Sequence, residues 1–103
     1  MQFDWDKNKN EYNKQEHGVS FKEASSVFDD DEALIVDDIE HSFNEERFLI
    51  IGKSYLDRVL YVCFCERSGD IIRLISDRKA DKEEREEYYA HIRLQWWSIK
   101  KTN

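Results

Sequence analysis

Between Glu45 and Ala80 the sequence reads EERFLIIGKSYLDRVLYVCFCERSGDIIRLISDRKA, with a basic residue at nearly every point where an apolar run begins, ends or is interrupted. Arginines set side by side with no acid between them repel one another. They also offer the parallel N–H donors that a phosphate accepts. If the three apolar runs pair as antiparallel strands, Arg47, Cys63 and Arg73 lie abreast, and Glu45 and Arg67 share their side toward the ERSGD turn. A plainer reading is that Glu45, Glu66 or Asp77 pairs with these arginines, a contact worth little when exposed. On the residues alone both readings stay open. There is no glycine-rich phosphate loop, no metal-ligand spacing and no Ser/His/Asp series distinguishable from chance. Cys63 and Cys65, two apart on one strand, project the same way, a poor geometry for a disulfide, so they read as free thiols.

The elements that must hold the arginines follow from periodicity and caps. The register that places Arg47, Cys63 and Arg73 abreast also sets Cys65 opposite Ile71, Tyr61 opposite Ile75 and Ile51 opposite Val59. One face then collects Phe48, Ile50, Leu60, Val62, Phe64, Ile72, Leu74 and Ser76, the core face. The other collects Arg47, Leu49, Tyr61, Cys63, Cys65, Arg73, Ile75 and Asp77. A slip by two residues would move the row without exchanging the faces.

Upstream, Phe3 and Trp5 make a short extended start or helix lead-in. Asp6 is the expected N-cap of a helix over about residues 7–16, stopped by Gly18. Lys9, Asn13 and His17 line one side of it and read as its wet face. Ser20 and Glu23 have capping-box spacing for a second helix, about residues 21–28. Ala33 to Val36 reads as an edge strand, followed by the acidic loop Asp37 to Glu46 containing His41. The last helix starts at Asp81 and runs to about Lys100, with Tyr88, Ile92, Trp96 and Ile99 as its buried stripe and Trp96 and Trp97 expected against the domain or a partner.

The 103 residues suit one domain, and 40% hydrophobic content suits a folded one. No apolar run reaches the roughly 18 residues of a membrane span, and no leader segment is evident, so a cytoplasmic location is expected. The net charge of −7 is unevenly spread: residues 29–46 carry nine acids and no Lys or Arg, whereas residues 47–79 carry seven bases and four acids. The acidic stretch is either a solvated loop or a docking surface for a basic partner.

The opening F-D-W-D-x-x-K-x-x-x-N-x-x-x-H-G-V-S-F-x-E-A (Phe3 to Ala24) resembles the BrnT family, toxins of type II toxin–antitoxin modules. So do V-F-D-D (Val27 to Asp30), H-S-x-x-E-E-R-F-L-x-I-G (His41 to Gly52), C-E-R (Cys65 to Arg67) and I-R-L-I-S-x-R-K-A, in the same order and spacing to about Tyr89. The resemblance implies an α+β, RelE-like fold: a small antiparallel meander, two N-terminal helices and one long C-terminal helix. It implies a growth-arresting ribonuclease; the chemistry expected of the arginines is stabilisation of 2′-hydroxyl attack on the adjacent phosphate, which needs no metal or other cofactor. Its expected neutralising partner is a ribbon-helix-helix antitoxin of the BrnA kind, the complex binding operator DNA through the antitoxin. The alternative is a non-catalytic antitoxin-binding module acting as co-repressor.

Carried over by position, the basic set is Arg47, Arg67, Arg73, Arg78 and Lys79. Arg47, Arg67 and Arg73 are the expected catalytic cations; Arg78 and Lys79, with Lys53 beside them in role, are the expected RNA-backbone contacts. The resemblance does not supply the base, for which Glu45 or His41 could reach. Two residues depart from the family pattern: Glu16 stands where Lys is common before the His-Gly pair, and Asp77 where a small residue often precedes Arg-Lys. Both would subtract positive charge from the site.

Overall fold

Alternating apolar residues and two turns from Ser54 to Arg58 and Ser68 to Asp70 fold residues 48–79 into three long antiparallel strands. In the computed structural model, which describes residues 1–101, these are β3 (Phe48–Lys53), β4 (Val59–Arg67) and β5 (Ile71–Lys79). Asp57 and Asp70 take positive φ in the two turns, beside Gly69 in the second. The edge strand β2 (Leu34–Asp37) pairs antiparallel with β3, as its short apolar run suggests.

The other edge takes the extended alternative expected around Phe3, but its pairing was not legible in advance. Residues Gln2–Asp4 form β1, which pairs in parallel with β5 and completes a sheet of order β1-β5-β4-β3-β2. Three residues carry no readable periodicity, and their pairing partner lies about seventy positions away.

Two features of register differ from the sequence expectation. Both long pairings slip by two residues: Ile51 faces Tyr61 and Leu49 faces Cys63, while Cys65 faces Arg73. The slip keeps the faces. A bulge between Cys63 and Phe64 on the β4–β5 ladder then exchanges them beyond it, pairing Cys63 with Ser76 and Val62 with Asp77. Asp77 therefore enters the core side and Ser76 the arginine side, the reverse of strict alternation.

Helices α1 (Lys7–His17) and α2 (Phe21–Ser25) begin at the caps the sequence announces. Asp6 accepts from the Asn8 and Lys9 amides, Ser20 from the Glu23 amide, and Gly18 closes α1 at φ 68°. The capping box at Ser20 is only half formed. Glu23 does not reach back to the cap; buried beneath the sheet, it accepts hydrogen bonds from Ser54 and Arg58. Burial would raise its pKa, but these bonds outweigh it and hold the carboxyl below its usual range. Asn13 is buried rather than on a wet face.

The main core joins Val19, Phe21, Ala24 and Val27 to Ile50, Leu60, Val62, Phe64 and Leu74. Gly52 sits where an added Cβ would meet Ala33 and Val27 atoms at 3.1–3.2 Å, so only glycine lets β3 lie this close beneath them.

The long helix α3 (Lys82–Lys101) starts with a complete reciprocal box, Asp81 accepting from the Glu84 amide and Glu84 from the Asp81 amide. It lies on the arginine side of the sheet, where Tyr88 and Ile92 close a second small core with Ile51, Val59 and Ala80. The Tyr88 hydroxyl donates to Asp30 at 2.6 Å, tying the helix to the acidic stretch. Beyond Ile92 the large apolar side chains Leu94, Trp96, Trp97 and Ile99 are exposed. The expected stripe is thus buried only in its first half. No helix among the described residues is long and apolar enough to cross a membrane.

Candidate active site

The site lies on the arginine side of the sheet, in the part that α3 leaves uncovered. A short clasp brings the loop 38–46 over β3 and β4: the Asp38 amide donates to the Arg47 carbonyl at 2.8 Å. The Ser42 hydroxyl donates to the Asp38 carbonyl and accepts from the Arg47 amide. That clasp forces Asp38, His41 and Arg47 together, although nothing in their spacing announces it.

Asp38 is the least expected member. The acidic stretch reads as a solvated loop or a docking surface, yet the Asp38 side chain is only 8% exposed. Both its oxygens stand 3.0 Å from His41 Nδ1, and the Cys63 thiol donates to it at 3.6 Å. A carboxylate on Nδ1 selects the tautomer with the proton there and leaves Nε2 with a free lone pair. His41 itself is 63% exposed, so that lone pair is open to a ligand. Asp38 and His41 line a pocket of about 180 Å³ with Lys9, Arg47, Tyr61, Cys63 and Ser76.

Arg47 is the hub of this region. It also borders a neighbouring cleft of about 380 Å³ with His41, Phe43, Asn44 and Glu45. Its Nε is buried without a hydrogen-bond partner, and a Glu45 oxygen lies 4.0 Å from its terminal nitrogen. Glu45 also reaches Arg67, at 3.4 Å. One carboxylate thus spans two guanidiniums without close geometry to either, leaving most of their donors unused.

The remaining expected cations are elsewhere. Arg73 faces Cys65 across the ladder but pairs with Asp4 of β1 at 2.9 Å. Arg78 makes a two-pronged pair with Glu84 at 2.8 and 2.9 Å and stacks over the Tyr61 ring, so it anchors α3. Lys53 lies four residues along β3 from Leu49, about 13 Å away, beside Asp57 and the Tyr89 ring. Lys79 is exposed at the end of β5, and Arg58 is held by Glu23 and the Gly18 carbonyl. Of the expected set, the fold brings together Arg47, Arg67, Glu45 and His41.

Sequence reasoning missed Asp38, Lys9 and Ser76. Lys9 had one signal, its place in the Lys9–Asn13–His17 stripe. Ser76 had none, because a bulge decides its side. Both cysteines are free and buried. Burial first, and then the neighbouring Asp38 charge, pushes the Cys63 thiol up to about 11, so it stays protonated at neutral pH and is no nucleophile. Asp77, expected among the arginines, is instead buried with both oxygens unpartnered, so its charge does not reach the site.

Three comparisons bear on this geometry. A family model described as "Ribonuclease toxin, BrnT, of type II toxin-antitoxin system" matches residues 5–84. Among solved structures, the crystal structure of the Brucella abortus ribonuclease toxin BrnT aligns with a TM-score of 0.62 at 21% identity, covering 80% of this chain and 99% of that one. No curated protein matches the sequence.

Proposed function

The chain belongs to the BrnT family of type II toxin–antitoxin ribonucleases, and from that premise we propose that it cuts RNA by attack of a ribose 2′-hydroxyl on the adjacent phosphate, without a metal ion. The observation that carries this reading is the meeting of His41, its buried partner Asp38 and the under-used Arg47 guanidinium around one pocket.

His41 Nε2 takes the 2′-hydroxyl proton while Asp38 stabilises the imidazolium that forms. The freed oxygen attacks phosphorus, and Arg47, with Arg67 behind it, meets the negative charge that builds on the phosphorane oxygens. The bond from phosphorus to the 5′ oxygen breaks, and that oxygen takes a proton from solvent at the open mouth. The products are a 2′,3′-cyclic phosphate, or the 3′-phosphate from its hydrolysis, and a 5′-hydroxyl. Glu45, shared between two arginines, sets their separation and leaves the base role to His41. Lys79, exposed at the end of β5, contacts a backbone phosphate further along the strand, whereas Arg73, paired with Asp4, contributes less. Arg78 and Lys53, being paired, contribute less.

The same premise supports a RelE-like fold, action in the cytoplasm, and a ribbon-helix-helix antitoxin whose complex with this chain binds operator DNA. The test is cleavage of RNA by purified protein in chelator, followed by end-group analysis. Cyclic or 3′-phosphate ends are expected; cleavage that requires a divalent ion would overturn the mechanism. In cells, Arg67→Ala should abolish growth arrest while antitoxin binding persists, and a fully toxic mutant would remove Arg67 from the site.

One observation favours a second reading, a non-catalytic antitoxin-binding co-repressor. Arg58, Arg73 and Arg78 are each committed to a carboxylate, and the net charge is −7. Absence of cleavage together with tight antitoxin binding would select it.

A further inference from the structure

The outer half of α3 lies beyond residue 84, where the family match ends, and it is apolar in a way the domain does not use. Tyr88 and Ile92 face the sheet. On the opposite side of the helix, Glu83, Glu86, Glu87, Ala90, Leu94 and Trp97 recur every three or four residues. Leu94 is 66% and Trp97 61% exposed on this outward side. A large apolar side-chain pair left in water on the outer turns of a helix marks a contact surface.

The order of residues along that side identifies the partner. Its beginning is acidic (Glu83, Glu86, Glu87), its middle is apolar (Ala90, Leu94, Trp97) with Arg93 on the flank, and its end carries the basic Lys100, whose ammonium lies over the neighbouring Trp96 ring. A surface that is acidic at one end and basic at the other complements a copy of itself turned through 180°. We propose that two copies of this chain pair through the outward faces of their α3 helices, antiparallel and about a two-fold axis near Leu94.

In that arrangement Glu87 of each copy meets Lys100 of the other. The large Trp97 ring covers the small Ala90 of the opposite helix, and the two Leu94 side chains meet near the axis. Because the interface is isologous, each of these contacts occurs twice. Parallel pairing would set glutamates against glutamates. No residue of this face lines the Arg47 pocket, so pairing leaves the site open. The inference does not depend on the ribonuclease reading.

The test is sedimentation of the full chain over a concentration series. A dimer is expected, and Trp97→Glu should weaken it about a hundredfold or more with unchanged helical circular dichroism and unchanged RNA cleavage. Glu87→Lys should weaken it about tenfold, since two symmetric pairs are lost, and Glu87→Lys combined with Lys100→Glu should restore it. Restoration by the double exchange supports antiparallel pairing even if Trp97→Glu fails to fold. A wild-type chain that stays monomeric near 100 µM would overturn the proposal. So would a dimer indifferent to all three variants, or a Trp97 protected only when a different protein is bound.

Discussion

Arg47 has a buried Nε with no partner and a loosely held terminus, a costly state that a bound phosphate would relieve. Arg47→Lys should therefore lower RNA cleavage about 10²–10³-fold, measured as single-turnover rates with thermal stability unchanged or raised. Asp38→Asn should cost about 10–100-fold in rate through the orientation of His41, with a change in the pH–rate profile that a merely structural role would not produce.

Asp77 gives the opposite kind of prediction, one of stability. Burial first, and then the charge of Glu23, raises its carboxyl from 3.8 to about 7. The folded protein thus keeps a proton that the unfolded chain has released above pH 4. The associated stability is complete below about pH 4, declines as pH rises toward 7, and is flat beyond; the full change is at most about 4 kcal/mol. Asp77→Asn should flatten this slope, read from urea midpoints between pH 5 and 8. A single residue's identity was plain in the sequence in every one of these cases. Its surroundings were not: Asp38 and Asp77 are both acids in readable runs, yet both are buried by a clasp and a bulge that periodicity does not encode.

At the scale of elements, local rules carried far. The caps Asp6, Gly18, Ser20 and Asp81 bound the helices because they act within one turn, where sequence separation and spatial separation agree. Strand faces were legible for the same reason, since alternation is local. Register was not, because a shift by two residues keeps each face intact and only turn geometry and packing choose between the options.

Gly52 shows how an element-level contact constrains one position: Gly52→Ala should destabilise by about 1–3 kcal/mol, seen as a lowered thermal midpoint, because Val27 backbone stands in the way. The outer turns of α3 should behave differently. Removing residues 94–103 takes away the exposed apolar side chains Leu94, Trp96, Trp97 and Ile99, so the thermal midpoint of the remaining domain should hold within a few degrees.

For the molecule as a whole, the polarised charge has a measurable consequence. Among the described residues the pocket is lined by two cations, Lys9 and Arg47, with Arg67 reached through Glu45, inside a chain of net charge −7. RNA affinity should then fall with salt at a log–log slope of about −2, shallower than for a basic nucleic-acid binder, as measured by fluorescence anisotropy between 50 and 200 mM salt.

The sequence by itself determined where the helices start, the three central strands, the division of the sheet into two faces, and the family to which the residues point. These rest on interactions spanning a few residues, or on motifs that keep their order. The second helix, expected to about residue 28, ends at Ser25 and gives way to a 3-10 turn. Only the tertiary structure decided that β1 closes the sheet, that a bulge moves Asp77 into the core, and that Arg73 and Arg78 are occupied. It alone decided that Asp38 stands behind His41 beside Arg47. The physical reason is common to all of them. Each depends on which distant segments share a small volume, and burial, pairing and free valence exist only once that volume is formed.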